Sequence, residues 1–256
     1  MALALTHIIS PDIAQCEISF IERSTIDYDL AVQQHEAYCA LLRDCGLKVI
    51  ELTVNSAYPD STFIEDTAVV LDEIAVMARM GAASRRGEVP GIESVLAAYR
   101  KIDRIRPPAT LEGGDVLLAG GKVFVGITPR TNVAGVSSLT AILEPFGYQV
   151  IPVTVRGCLH LKSACTAIDD ETVLLNPHWI DLEPFKVFHA ISVPEDEPWA
   201  ANTLLVENTV CVHAGFTHTV EILHTHGFAV KTVDISELLK AEAGMTCSSI
   251  IFNDTV

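Results

Sequence analysis

A structural unit recurs along this 256-residue chain and constrains its fold more than any other feature. The unit is two short strands joined by a turn, then a helix, then another strand. In its clearest copy, DVLLAGGKVFVGI contains two β-rich runs around Gly120-Gly121, and Asn132 caps a helix that runs to Phe146. Gly147 then ends the helix and releases the strand YQVIPV. The pattern predicts a hairpin, a helix and a strand in that order.

Three further stretches carry the same pattern with different clarity. TAVVLDEIAVMAR predicts a hairpin, followed by a helix from Gly91 to Tyr99 and a strand near Ile102. TLLVENTVCVHAG predicts another hairpin, followed by the helix TVEILHTH and the strand FAVKTV. SACTAIDDETVLLNP and FKVFHAISV form a degraded copy, because Pro177 and Pro184 leave little room for a helix.

The fifth copy has to be circular. The C-terminal strand SSIIF would pair beside THIIS near the N-terminus, and the helix from Leu30 to Cys45 and the strand LKVIEL would complete the unit. Closing the ring leaves few exposed strand edges. The sequence therefore predicts an α/β fold, a five-bladed α/β propeller of ββαβ units with pseudo-fivefold symmetry. Helices would lie outside, and strands would line a central channel that could hold a ligand.

Domain organisation follows from the same pattern. No Pro/Ser linker divides the chain, so residues 1–256 are expected to form a single domain. The rival architecture is a doubly wound parallel sheet. Successive hairpins disfavour it, because parallel strands need long crossovers between every pair.

Charge and cysteine content limit the partners and the compartment. The chain has 17 Lys+Arg against 33 Asp+Glu, a formal net charge of −16, so it should repel nucleic acid. Most of this charge is explained by solubility, although an acidic surface would also attract a cationic small molecule. Its 7 cysteines form no C-x-x-C pair, which favours reduced thiols and a cytoplasmic location. No stretch approaches the roughly 20 apolar residues of a membrane span, and no basic region precedes the first apolar run. We expect neither membrane insertion nor secretion.

Acidic residues recur where the chain passes into an apolar strand. PDSTFIED contains Asp60, Glu65 and Asp66, and LEGGD contains Glu112 and Asp115. An acid that points inward must be paired or neutralised, so a protein cation or a cationic ligand should face it. For each acid taken alone, a solvated turn residue is the better interpretation.

Four other residues are candidates only in combination. His160 lies between two leucines, and Cys247 in AGMTCSSIIF directly precedes the last strand. Taken singly, such a histidine is more often a core residue, and most cysteines are inert. Arg85 in SRR and Arg130 in PRTN follow strands, where a surface cation is the ordinary interpretation.

A zinc site is a separate alternative for a histidine-rich stretch near the C-terminus. The potential ligands are Cys211, His213, His218, His224 and His226. The helix expected from Thr219 to Gly227 would point the last two histidines apart, which disfavours the site. We therefore expect no metal.

Seven motifs together are more specific than any one of them. In order they are PDSTFIED, SRRGE, LEGGD, GITPRTN, LHLKS, PWAAN and MTCSS, and they span nearly the whole chain. In this order the chain resembles the dimethylarginine dimethylaminohydrolase family of the guanidino-modifying, or pentein, superfamily. The resemblance implies the five-bladed propeller, no metal or organic cofactor, and a small cationic guanidino amino acid as substrate. It leaves a homodimer open.

The resemblance also implies a reaction and its catalytic residues. The reaction is hydrolysis of dimethylarginine or monomethylarginine to citrulline and dimethylamine or methylamine, through a covalent cysteine S-alkylthiouronium. Cys247 matches the nucleophile, His160 the general acid and base, and Glu112 the acid that orients the histidine or the guanidinium. Asp66 matches the residue that grips the guanidinium. Because carboxylates lie nearby, we expect Cys247 to stay protonated until a cationic substrate binds.

The remaining implied roles concern substrate binding. Asp60 matches a position that faces the α-amino group, Glu65 a further substrate-binding position, and Arg85 and Arg130 the pair that holds the α-carboxylate. Ile18 and Ala241 match positions that contribute main-chain contacts to the α-amino group. Glu242 stands where an aspartate is more typical, and the lid region from Cys16 to Thr25 is only loosely similar.

Related activities remain as alternatives. Arginine deiminase uses the same constellation on unmethylated arginine but normally carries a helical insertion for which this chain has no room, and amidinotransferases are longer. A propeller that only binds a partner would lack the catalytic set of Cys247, His160 and Glu112.

Overall fold

Five three-stranded sheets form the protein. The structure is a computed structural model and describes residues 2–254. The strands are β1 (Ala2–His7), β2 (Lys48–Leu52), β3 (Ala68–Val70), β4 (Ile74–Met77), β5 (Lys101–Arg104), β6 (Val116–Ala119), β7 (Lys122–Ile127), β8 (Gln149–Thr154), β9 (Cys165–Ala167), β10 (Thr172–Leu175), β11 (His189–Ser192), β12 (Leu204–Val206), β13 (Thr209–His213), β14 (Ala229–Val233) and β15 (Ile250–Asn253). The helices are α1 (Tyr28–Asp44), α2 (Val89–Leu96), α3 (Val133–Leu143), α4 (Leu161–Ala164), α5 (Thr217–Thr225) and α6 (Ser236–Leu239).

Every sheet repeats one topology. Its first strand pairs antiparallel with its middle strand, and the middle strand pairs parallel with its last strand, as in β6-β7-β8 and β12-β13-β14. A parallel pair needs a crossover, which the helix supplies in four of the sheets. In the sheet β9-β10-β11 the crossover contains only the 3₁₀ turn Glu183–Phe185. The expectation that Pro177 and Pro184 leave little room for a helix is confirmed.

The ring closes through the chain ends. β15 pairs antiparallel with β1, with Leu3 opposite Phe252 and Leu5 opposite Ile250. Residues of β3, β6, β9, β12 and β15, one strand from each sheet, line a central channel of about 360 Å³. The five-bladed α/β propeller is therefore confirmed, and the doubly wound alternative is wrong, because each blade contains an antiparallel hairpin.

Local signals set the helix boundaries, with small shifts from the predicted ones. The Asn132 side chain accepts the Gly135 N–H at 2.8 Å, and α3 gives way to a 3₁₀ turn before Gly147 at φ +82°. α1 begins at Tyr28 and not at Leu30, because Asp27 caps it through the Leu30 N–H at 3.1 Å. α2 begins earlier than predicted, with a proline in its first turn, and ends at Leu96.

The hydrophobic core lies between the blades and under the outer helices. One cluster joins Leu5 of β1, Met77 of β4, Ile92 of α2 and Phe252 of β15. Full burial of each such side chain contributes roughly 1.5–3 kcal/mol. The packing holds neighbouring blades in place, and therefore fixes the loops at the end of the channel that carry the candidate site.

Within residues 2–254, the helices are all too short or too polar to cross a bilayer.

Candidate active site

Loops from several blades meet in a narrow cleft at one end of the propeller. Its lining residues are Glu17, Asp60, Phe63, Asp66, Arg85, Arg130, Leu159, His160, Ala241, Glu242, Ala243 and Cys247. Most of the residues that the sequence pointed to lie here, although they come from widely separated parts of the chain. Glu112 lies directly behind His160, whereas Glu65 and Ile18 are not among the lining residues.

His160 and Glu112 form the central hydrogen-bonded pair. Glu112 is fully buried, and its Oε2 lies 2.8 Å from His160 Nε2. Burial alone would lower the pKa of His160, but the charges of Asp66, Asp115 and Glu112 outweigh it and raise that pKa to about 9. The hydrogen bond and charge of His160 in turn overcome burial and lower the pKa of Glu112 to about 2. At neutral pH the pair is an imidazolium and a carboxylate, so His160 can donate a proton.

Asp115 is a buried acid to which the sequence assigned no role. Its Oδ1 accepts the Leu161 N–H at 3.0 Å, and its Oδ2 accepts the Thr128 hydroxyl at 2.7 Å. Burial raises its pKa to about 6, although the charge of His160 opposes the rise. Asp115 therefore fixes the backbone just after His160. The second acid of LEGGD was the only signal for it.

Asp66 is held from two sides. Its Oδ1 accepts the Gly114 N–H at 3.0 Å and lies 3.8 Å from His160 Nδ1, while its Oδ2 lies 2.6 Å from Arg85 Nη1. A Cβ at Gly114 would come within 2.6 Å of His160 Nδ1 and 2.7 Å of Asp66 Oδ1. Only glycine lets the backbone approach both groups, which gives the LEGGD motif a physical reason.

Arg85 is the protein cation that the acidic cluster required. It is buried, and it donates to Asp66, to Glu88 at 3.0 Å and to the Phe63 carbonyl at 2.9 Å. The interpretation of these acids as solvated loop charges is wrong for Asp60, Glu65 and Asp66, which are all buried. The sequence did not identify Glu88 as a partner of Arg85, because an acid three residues after an arginine is common and no other pattern marks this one.

Arg130 approaches the cleft from the loop after β7. Its Nη1 lies 3.5 Å from Glu112 Oε1, and its Nη2 donates to Ser19 Oγ at 3.2 Å. It has a weaker set of ion pairs than Arg85, whose donors are engaged by two carboxylates. Of these two cations of the cleft, Arg130 can therefore bind an added anion more readily than Arg85.

Cys247 lies in the turn between Gly244 and β15. Its Sγ accepts the Gly244 N–H at 3.3 Å, and its carbonyl accepts the Glu65 N–H at 3.2 Å. The thiol is partly buried and lines the cleft. Burial, with the charges of Glu65 and Asp66, raises its pKa to about 12. At neutral pH the sulfur is therefore a thiol.

Glu65 faces the channel behind the cleft. It pairs with Lys162 and accepts the Thr246 hydroxyl at 2.7 Å, and both Glu65 and Lys162 line the channel. The backbone of Glu65 is hydrogen-bonded to the turn that contains Cys247, and this turn separates the Glu65 side chain from a substrate in the cleft. The geometry gives Glu65 a supporting position beneath the nucleophile. Lys162 was missed as its partner because nothing in LHLKS distinguishes it from a surface lysine.

The segment before α1 covers the cleft. Asp60 accepts the Glu17 N–H at 3.1 Å, and Glu242 accepts the N–H groups of Ser19, Phe20 and Ile21. Glu242 has φ +58°, a left-handed conformation uncommon for such a residue. The segment that contains Ile18 is therefore fixed over the cleft by hydrogen bonds to two acids from other blades, Asp60 and Glu242. Ala241 directly precedes Glu242.

Metal ligands could in principle assemble at the cleft. Asp66, Glu112 and His160 offer atoms within 4.8 Å of one another. Both ring nitrogens of His160 face these carboxylates, an arrangement that also suits proton transfer. In the described residues, the stretch from Cys211 to His226 does not assemble into a group of metal ligands.

Comparison with known proteins agrees with this geometry. The family described as "N,N dimethylarginine dimethylhydrolase, eukaryotic" matches residues 14–183. The N(G),N(G)-dimethylarginine dimethylaminohydrolase of Pseudomonas aeruginosa is 33% identical over 96% of this chain and 99% of its own length. The enzyme of that name from Streptomyces coelicolor is 38% identical over 96% of this chain and 95% of its own.

A solved structure shows the same fold. A cysteine-to-serine mutant of the Pseudomonas aeruginosa protein, complexed with citrulline, superposes with a TM-score of 0.93 at 31% identity, over 97% of this chain and 98% of that one. Sequence and fold agree over nearly the full length of both proteins. The chain belongs to the dimethylarginine dimethylaminohydrolase family.

Proposed function

We propose that the protein hydrolyses Nω-methylated arginine to citrulline and methylamine or dimethylamine, with Cys247 as nucleophile. One observation carries the proposal: His160, held between Asp66 and Glu112, lines the same cleft as the Cys247 thiol. A weak electrophile such as a guanidinium needs a strong nucleophile, stabilisation of its positive charge and a proton for the departing amine. The cleft offers a group for each.

Substrate binding would begin with charge. The guanidinium can be held against Asp66, whose carboxylate already shares the cleft with Cys247. A cation beside the sulfur offsets the carboxylate charges that raise the thiol pKa, so the bound substrate would promote loss of the thiol proton to solvent and formation of the thiolate. Arg130 can bind the α-carboxylate, and Asp60 can bind the α-amino group. Arg85 is the counter-ion of Asp66.

The covalent step would then follow. The Cys247 thiolate attacks the guanidinium carbon and forms the C–S bond, and His160 donates its proton to the methylated nitrogen as the C–N bond breaks. The amine leaves, and a thiouronium remains on Cys247. His160, now neutral, takes a proton from water as the oxygen attacks the same carbon. As the C–S bond then breaks, the hydroxyl proton of the adduct passes to the departing sulfur, which releases citrulline and restores the Cys247 thiol.

A substrate panel tests the proposal. The protein is incubated with asymmetric dimethylarginine, monomethylarginine, arginine and agmatine, and citrulline or amine release is measured for each. We expect the methylated arginines to be turned over fastest and agmatine poorly, because it lacks the carboxylate that Arg130 would bind. Faster turnover of arginine would point to a deiminase, and undiminished product release by Cys247→Ser would overturn the mechanism.

A second test addresses the thiol. Alkylation of Cys247 in the empty protein, followed as a function of pH, should give an apparent pKa above the ~8.5 of a free thiol. An apparent pKa near or below 6 without ligand would contradict thiolate formation on substrate binding.

A further inference from the structure

Another group of potential ligands lies outside the cleft, between α1 and β2. His35 and Cys39 are four residues apart on α1, so their side chains share one face of the helix. Glu51 lies on β2 opposite Thr6 of β1 and belongs to the same group. None of these residues lines the candidate active site.

The distances in this group fit a hydrogen bond between His35 and Cys39 but not one between His35 and Glu51. His35 Nε2 lies 3.6 Å from Cys39 Sγ and 3.7 Å from Glu51 Oε2, and the three ligand atoms all lie within 4.8 Å of one another. An N–H···O bond is normally about 2.7–3.2 Å long, so the histidine is not tightly bonded to the glutamate. A tetrahedral zinc ion, with bonds of about 2.0–2.3 Å, separates nitrogen from sulfur by ~3.6 Å and nitrogen from oxygen by ~3.4 Å. The observed spacings are close to both values.

Burial and charge also suit a cation. The side chain of His35 is 2% exposed, whereas that of Glu51 is 41% exposed, which leaves a route for an ion and a position for water. His35 Nδ1 has no hydrogen-bond partner in the described part of the chain, so Nδ1 can carry the ring proton and leave the Nε2 lone pair for the ion. Burial, together with the nearby His7, lowers the pKa of His35 to about 4, so its ring is neutral at pH 7 and can offer a lone pair.

We propose that His35, Cys39 and Glu51 bind a zinc ion that fastens α1 to the sheet β15-β1-β2. On binding, the Cys39 thiol releases its proton to solvent and the sulfur forms a bond to the ion. The two positive charges are then balanced by one thiolate and one carboxylate, and no net charge is buried. Water completes the coordination on the side of Glu51.

Cobalt(II) is the probe, because its bonds to thiolates give a charge-transfer absorption band. The experiment uses the full chain with Cys247→Ser, which removes the thiol of the cleft and makes the outcome independent of the proposed function. We expect one equivalent of Co²⁺ to bind with this band, to release one proton per ion, and to be displaced by Zn²⁺. Zn²⁺ should also raise the Tm of this variant.

Three further variants in the same background assign the ligands. Cys39→Ser should abolish the band, and Cys45→Ser, a control at a partly buried cysteine close to Cys211, should keep it. Glu51→Gln changes an exposed side chain, so it should fold normally and bind Co²⁺ at least tenfold more weakly.

Several results would overturn the site. They are the absence of a charge-transfer band in the Cys247→Ser protein, a band that survives Cys39→Ser, and unchanged affinity in Glu51→Gln. If Cys39→Ser does not fold, the Glu51→Gln result decides alone.

Discussion

Replacing Asp66 with asparagine is expected to lower the pKa of His160. Asp66 Oδ1 lies 3.8 Å from His160 Nδ1, and its charge is the largest of those that hold the histidine protonated. Two unit charges at that distance interact by about 4 kcal/mol at an effective dielectric constant of about 20, which corresponds to about 3 pKa units. The carboxylate charge is shared with Oδ2, which faces Arg85. We therefore expect about half of this effect, a fall of roughly 1.5 units.

Nuclear magnetic resonance of imidazole-labelled protein measures this change directly. The His160 signal is assigned by its loss in His160→Gln, and its titration is followed in the parent and in Asp66→Asn. At pH 8 the protonated fraction of His160 should fall from about nine-tenths to about one-quarter.

A matched control exists at another aspartate and histidine. Asp234 Oδ1 lies 3.8 Å from His213 Nδ1, outside the cleft. Asp234→Asn should leave the His160 titration unchanged. The reasoning is refuted if His160 keeps a pKa of about 9 in Asp66→Asn, or if it titrates near 6.5 in the parent.

Three further outcomes are expected. Gly114→Ala should lower kcat by about 100-fold, because its Cβ would displace His160 from position; near-parental kcat in steady-state kinetics would contradict this. Lys162→Met leaves Glu65 buried without its cation and should lower the free energy of unfolding, measured in urea, by about 3–5 kcal/mol. The control Lys186→Met removes an ion-paired lysine whose side chain is 68% exposed, and it should lower that free energy by less than about 1 kcal/mol. Equal losses in the two variants would refute the distinction. The pKa of His160 is raised from 6.5 to about 9, so protonation of His160 stabilises the folded protein. This stabilisation is fully present below pH 6.5 and is lost as the pH rises through about 9. The urea concentration at the unfolding midpoint should therefore fall over that range in the parent, and it should fall less in His160→Gln.

Much of the fold could be predicted because its determinants are local. The turns, the Asn132 cap and the glycines that follow α1, α3 and α5 act within a few residues, and five copies of one pattern indicate a closed ring. The errors were shifts at the ends of elements. The Asp27 cap and the early proline set the starts of α1 and α2, and α5 begins at Thr217, two residues before the predicted Thr219. The predicted N-terminal strand THIIS was placed too late, because β1 covers Ala2–His7 and pairs with β15 through its first four residues.

The site was only partly accessible from sequence. The motifs identified Cys247, His160, Glu112 and Asp66 as a set, but their roles rested on resemblance, since no local pattern brings residues from different blades together. Hydrogen bonds between groups far apart in the chain, such as those from Ser19 to Glu242, leave no periodic signal.

Pairing of the buried acids was decided by tertiary structure alone. The sequence required a cation near Asp66 and Glu65 because a buried carboxylate cannot remain unpaired. Packing chose Arg85 for the first and Lys162 for the second, and it turned Glu65 toward the channel. The sequence by itself determined the repeating blades and the chemical groups available. Tertiary structure decided which groups meet, because charges interact through space at a few ångströms, whatever their separation along the chain.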